Sequence, residues 1–313
     1  MIILTGLLAI SGCRPGRDIG DEYLTTQKPL ALLPVRQITG TILGHDLSQP
    51  RGLTADRFGN IYLVDAGNNR IIRFDTALTA IRDVGGFGTT AGSLQDPTYI
   101  ALGNDLSLFI ADAGNQRLAQ YNSRLNYVDQ ISLIDDDEPL KFGRPAGIRI
   151  DRYGDIWICE EERGRVSVLN NIGSFDRFLG GVESSTGLLM NPAGIADDGD
   201  QRVFVCDAGQ SLIQVFDDIG VDLYAFGREV LKEPTGVAVD RYGQVWVVDA
   251  ARRAVFCFHP RGELLFSSLE AAGASGYRPV RPFDLALAGS DRLIVSDAGG
   301  GRLIVYKILY PEE

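Results

Sequence analysis

Six copies of one unit run through this chain, and that constrains its fold more than anything else in it. The stretches "VDAGNNRIIRFD", "IADAGNQRLAQY", "ICEEERGRVSVL", "VCDAGQSLIQVF", "VVDAARRAVFCF" and "VSDAGGGRLIVY" align on an acidic residue at Asp65, Asp112, Glu160, Asp207, Asp249 and Asp297, with steps of 42 to 48 residues. Upstream of each acid lies a second shared element that opens with proline, as in "PRGLTADRFGNIYLVD" and "PTGVAVDRYGQVWVVD". Self-similarity at such a period marks a repeat architecture in which each unit buries its apolar surface only by stacking on its neighbours.

Within a unit the pattern is short and β-like. A Pro-led apolar run is followed by a polar turn carrying Gly, a β-branched or aromatic run such as "IYLV" or "VWVV" up to the acid, a second turn, a third run such as "RIIRF", and a looser fourth such as "AIRDVG". The second runs are apolar nearly throughout rather than alternating, so both of their faces are expected to be buried. Four antiparallel strands repeated six times predict an all-β, six-bladed β-propeller. The last unit supplies three strands and ends at "LIVYKILYPEE". The unassigned segment "ALLPVRQITGTIL" has the length and pattern to complete it, which predicts a ring closed by pairing both chain ends in one blade.

The series Pro-x-Gly, strand, Asp-x-x-Gly, strand, Val-Asp-Ala-Gly-Asn-x-Arg, strand resembles the NHL repeat family over about residues 30 to 310, most fully in the first blade. The resemblance implies a propeller and a range of roles: protein-binding scaffolds, extracellular sensor domains, and enzymes on related six-bladed propellers, including amidating lyases, lactonases and paraoxonases. Fold alone does not select among these.

The repeats act as an internal control. A residue type present in every blade answers a need of every blade, so the series Asp65, Asp112, Asp207, Asp249 and Asp297 is read as structural turn chemistry, with carboxylates accepting turn N–H groups and Gly67 and Asn68 taking left-handed conformations. Arg70, Arg117, Arg165 and Arg302, each five residues after the acid, are placed to pair with it; blades four and five carry Leu212 and Ala254 there. Calcium loops place oxygen ligands at alternate positions and a distal Glu, which "DAGNNR" does not do.

Departures confined to one blade are the candidates for a site, set against drift in solvated loops. Tyr99 and Asp284 replace the Pro-x-Gly glycine, Arg51 sits beside that column, and blade three carries Glu160 and Glu161 where others have Asp-Ala. These positions ring the mouth of the central channel on one face, and a patch of Arg51, Tyr99, Glu160, Glu161 and Asp284 is expected to bind a ligand or partner. The lactonase and paraoxonase relatives hold calcium near the channel, so calcium is the cofactor only if the chain is an enzyme of that kind; otherwise none is expected. The two histidines, His45 and His259, fall in connections and are read as surface residues, too few for a three-histidine zinc site. "GFGTTA" at residues 86–91 is a Gly-rich turn rather than a dinucleotide fingerprint, because no helix follows.

A net charge of −11 makes nucleic-acid phosphate a poor partner. The run "MIILTGLLAISGC" ends in Ile10-Ser11-Gly12-Cys13 and resembles a bacterial lipobox, although no Lys or Arg precedes it. The resemblance implies a signal segment over 1–12, a lipidated Cys13 with a polar tether to residue 30, and a propeller over 31–313. The implied location is the cell envelope, membrane-anchored by lipid alone, with the outer membrane favoured because Arg14 rather than Asp follows Cys13. Cys159 and Cys206 stand at equivalent positions in adjacent blades, about a sheet spacing of ~10 Å apart and beyond disulfide reach, so they and Cys257 are expected as buried free thiols. The acidic run Asp135 to Glu138 reads as a solvated loop. No nucleophile or acid–base constellation stands out, so the expectation is a monomeric propeller that binds a protein, peptide or envelope glycan, with a metal-assisted lactonase-type or lyase-type enzyme as the alternative.

Overall fold

A computed structural model describes residues 28–134, 142–181, 187–269 and 277–311. Cys13 and the acidic run at 135–138 lie outside the described residues. The architecture is a ring of six four-stranded antiparallel sheets. Blade one comprises Pro50–Ala55, Ile61–Asp65, Arg70–Phe74 and Ala80–Gly85, from the channel outward. Blades two to five repeat this order over residues 97–132, 145–180, 192–226 and 234–267. Blade six takes three strands from residues 282–309, and its outer strand is Ala31–Ile38. That strand pairs antiparallel with the last one, from Ala31 opposite Leu309 to Ile38 opposite Leu303, so the ring closes as the sequence predicts.

The second strands explain why the blades need one another. Ile61 to Val64 and Val245 to Val248 are fully enclosed, each strand packed on both faces by neighbouring sheets. Trp157, Trp246 and Tyr62 occupy one column there and keep their polar atoms satisfied on the aspartate that opens the preceding turn: Trp157 Nε1 donates to Asp151 (3.1 Å), Trp246 Nε1 to Asp240 (2.9 Å), and Tyr62 Oη to Asp56 (3.3 Å). Cys159, Cys206 and Cys257 are buried free thiols, as expected. Burial pushes all three well above the ordinary thiol range.

In every blade the opening proline pairs with the acid that ends the second strand, and the ladder slips just after the proline in each case. A residue without an N–H is tolerated at such an irregularity. Toward the axis the inner strands converge until side chains no longer fit. A Cβ on Gly52 would stand 2.5 Å from Tyr99 Cα, and one on Gly236 would stand 2.6 Å from Asp284 Cα. This is why the third position of the unit is glycine in four blades.

Candidate functional site at the channel mouth

The acids prove to be latches between a blade and the chain entering it. Ser48 N donates to Asp65 (2.8 Å), Gln95 N to Asp112 (2.7 Å), Gly143 N to Glu160 (2.6 Å), Met190 N to Asp207 (2.8 Å), Lys232 N to Asp249 (2.6 Å) and Val280 N to Asp297 (2.9 Å). All six carboxylates are fully buried. The arginine five residues on closes the other side through Nε: Arg70 at 2.8 Å, Arg117 at 2.7 Å, Arg165 at 3.1 Å and Arg302 at 2.9 Å. Blades four and five lack that arginine, and there the turn's own N–H groups at Gln210 (3.0 Å) and Arg252 (2.7 Å) are donated to Asp207 and Asp249. A buried carboxylate needs several donors, and blades with and without the arginine assemble them differently.

One expectation is extended here and one corrected. The turn's own N–H groups donate to the acid in blades four and five, and the backbone donors found in all six blades come from the incoming connection. The left-handed residue is not Gly67 or Asn68 but Asn69 (φ 52°), matched by Gln116 (φ 49°) and Gly164 (φ 56°). Gly67 is small for another reason: a Cβ there would lie 2.2 Å from Ser48 Oγ and 2.8 Å from Ser48 O, in the path of the connection that Asp65 latches.

Glu160, singled out as a departure, belongs to this latch system rather than to a site. Its side chain is enclosed and bound by Gly143 N, Arg165 Nε and Ser167 Oγ. The extra methylene of Glu is accommodated by Ser167, and the carboxylate does the work of the five aspartates.

Beyond the latches, the mouth opens into a chamber of about 570 Å³, lined by Arg51, Tyr99, Glu161 and the residues flanking the opening prolines. Ala and Pro form its walls, Tyr99 and Phe283 its floor, with their rings 5.0 Å apart and Arg51 5.7 Å above Phe283. Tyr99 reaches from blade two to the diametrically opposite blade five, where its hydroxyl donates to Thr235 O (2.6 Å). It therefore plugs the channel. Below it a second chamber of about 280 Å³ is lined by apolar inner-strand residues, together with Asp284 and the pair Arg149–Asp197 (2.7 Å). Arg149 Nη1 has no hydrogen-bond partner among the described residues, and its guanidinium lies 5.0 Å over Trp157.

Asp284 thus lies beneath the plug, separated from Arg51 and Glu161. It is 7% exposed, accepts hydrogen bonds from Leu53 N (3.1 Å) and Leu285 N (2.8 Å), and ties blade six to blade one. Burial pushes its carboxyl up to about 7 against the pull of those two N–H groups. Burial and the neighbouring Asp284 hold the Tyr99 hydroxyl well above its ordinary range. Of the proposed patch, then, Arg51, Tyr99 and Glu161 meet in one chamber; Glu160 and Asp284 do not.

The residues preceding the prolines were not picked out from the sequence, although the same internal alignment contains them. Read around the ring they are Gln49, Asp96, Arg144, Asn191, Glu233 and Arg281: amide, acid, arginine, twice over. Arg144 pairs with Asp96, and Arg281 pairs with Glu233 at 3.2 Å, each across one blade boundary. His45 is exposed in the connection to blade one, and His259 is half-buried in a turn on the far face. Among the described residues no group of three or more His, Cys, Asp or Glu side chains is placed to hold a metal ion.

No family profile matches the chain. It is similar to E3 ubiquitin-protein ligase NHLRC1 of Rattus norvegicus, 24% identical over 285 residues covering 84% of this chain and 68% of that protein. It is also similar to Protein brain tumor of Drosophila melanogaster, 24% identical over 127 residues, 40% of this chain but 12% of that much longer protein. The relatives and the six-bladed ring support an NHL-type propeller. Among solved structures, a streptogramin B lyase superposes with a TM-score of 0.63 at 12% identity, covering 88% of this chain and 97% of that one. A catalytically inactive virginiamycin B lyase from Staphylococcus aureus with quinupristin gives 0.62 at 16%, covering 88% of both chains, and a luciferin-regenerating enzyme 0.62 at 14%, covering 88% and 95%. At these identities the likeness is one of fold.

Proposed function

We propose that this NHL-type propeller is a binding protein that docks a protein partner on its mouth face, held at the cell envelope by a lipid on Cys13. The observation that carries the docking reading is a collar of exposed apolar side chains on the connections leading to the mouth: Phe87 (76% exposed), Met190 (66%), Ile134 (63%), Leu188 (50%), Val280 (46%) and Leu43 (44%). They come from five of the six connections that enter the mouth, around its polar chamber, and exposed apolar surface bordering a polar centre is the kind of face a partner covers. The resemblance to NHL propellers, which serve as protein-binding scaffolds, supports the same reading.

Immobilised protein carrying Phe87→Asp with Met190→Asp is compared with the unaltered protein in capturing partners from extract of the source cells. The parallel control is Phe58→Asp with Ile172→Asp, on the turns of the opposite face, where these side chains are 60% and 81% exposed. Loss of capture with the first pair and retention with the second is expected. Retention with the first pair and loss with the second would place the docking surface on the wrong face.

A further inference from the structure

The charges around the mouth chamber are three arginines and three acids, and their pairing leaves a remainder. Arg144 is matched to Asp96 and Arg281 to Glu233, each from a neighbouring blade. Arg51 comes as a second cation to Asp96, at 2.9 Å, with its other nitrogen 3.5 Å from Gln49 Oε1. Glu161 makes no hydrogen bond or ion pair among the described residues. Asp96 thus answers two guanidiniums, so the Arg51–Asp96–Arg144 cluster carries one positive charge in excess, and Glu161 is an acid without a cation among the described residues. Exposed pairs such as Arg281–Glu233 are already screened by water and leave little for a ligand to gain; Arg51, 21% exposed and lying over the Phe283 ring, is partly desolvated and gains more from a charged partner.

Arg51 and Glu161 are both departures from their columns. Where blade three has Glu161, the other five blades have Ala66, Ala113, Ala208, Ala250 and Ala298. Arg51 stands where the others carry Thr98, Ala146, Ala193, Thr235 and Phe283. Neither is needed to build a blade, so the fold does not account for them. The chamber they line is blind, because Tyr99 closes its floor by bonding across to Thr235. A chain cannot thread through it, and its 570 Å³ is the size of a small-molecule site.

We infer that the mouth chamber is a site for a small zwitterion of the α-amino-acid class, free or as a short unblocked peptide. Arg51 takes the carboxylate, Glu161 takes the ammonium, and an apolar or aromatic side chain rests on the Tyr99–Phe283 floor. This site is independent of the collar: a partner can dock outside it whether or not the chamber is filled, and the isolated protein suffices to test it.

The test is calorimetric titration of the purified chain with the twenty free amino acids and the dipeptide Ala-Phe, each also N-acetylated and C-amidated. The repeats themselves supply substitutions that a blade tolerates: Glu161→Ala, the residue of the other five blades, and Arg51→Thr, the residue of blades two and five. At least one free member with an apolar or aromatic side chain is expected to bind, and blocking either end is expected to weaken it about tenfold or more. Glu161→Ala should abolish the penalty for N-acetylation but keep that for amidation, and Arg51→Thr should do the reverse, with melting temperatures unchanged within a few degrees. Binding that is indifferent to blocking, or no binding of any free member at millimolar concentration, overturns the inference. Partner capture by the collar is unaffected by either result.

Discussion

Replacing Asp284 by Asn is expected to remove a specific part of the protein's pH dependence. Asp284 is buried under the Tyr99 plug, no cation contributes to its environment, and its carboxyl is pushed from the ordinary 3.8 up to about 7. The folded protein therefore holds a proton there that the unfolded chain has released once the pH passes about 4. The sign follows: Asp284 favours folding fully below about pH 4, and that contribution is lost as the pH rises through about 7. With 1.36 kcal/mol for each unit between the two values, the loss is about 4 kcal/mol across the window. Asn keeps the shape and an oxygen for the Leu53 N–H but does not titrate. Urea unfolding of both proteins at about pH 4.5, 6 and 8 isolates the effect, since all other groups are common to both. The difference in stability should shift toward the Asn variant by about 3–4 kcal/mol from the lowest pH to the highest. A constant offset across the three pH values would refute the reasoning, because it would mean that the carboxyl is ionised throughout.

Other outcomes follow from the same geometry. Asp65→Asn leaves the buried Arg70 guanidinium, its side chain 5% exposed, with only one of its two charged acceptors, the half-buried Asp83 at 2.7 Å; urea unfolding should show a loss of about 2–3 kcal/mol. Asp197→Val alone strands Arg149, whose Nη1 already lacks a partner among the described residues, and should cost about 1–3 kcal/mol. The double change Arg149→Ala with Asp197→Val puts in both positions residues that blade five carries, Ala238 and Val239, and should recover most of that loss or exceed the parent stability. Added calcium is expected to leave the melting temperature unchanged; a rise of several degrees would favour a metal-assisted enzyme at the mouth.

The fold was legible because a sixfold repeat leaves little freedom: the count of strands, the orphan Ala31–Ile38 segment and the need to hide an edge together dictate a closed ring. The role of the acids was legible from their presence in every blade, but not their partners, since Ser48 and Asp65 are brought together by the incoming connection, 17 residues away along the chain. The candidate site was half legible. Comparing columns picked out Arg51, Tyr99 and Glu161, which the fold brings into one chamber, yet a departure in type is not a departure in role: Glu160 differs from Asp by one methylene and still serves as a latch. Depth along the channel is not written in the columns either. Tyr99 and Asp284 share a column, and one closes the upper chamber while the other faces the lower, because a tyrosine spans the channel and a carboxylate reaches only the neighbouring strand. Arg144, Glu233 and Arg281 precede the prolines, a column in which no residue type is common to most blades, so nothing in it stood out as a departure.

The account stands or falls on which face meets the partner. A photo-cross-linking residue placed at Met190, on the mouth collar, and in a second protein at Ile172, on the opposite turns, reports this directly in the source cells; both side chains are exposed, and Met190 joins the latch to Asp207 only through its backbone N–H, which the replacement keeps. A partner docked on the mouth face gives a discrete protein adduct from Met190, lost when Phe87→Asp is added, and none from Ile172. An adduct from Ile172 alone contradicts it.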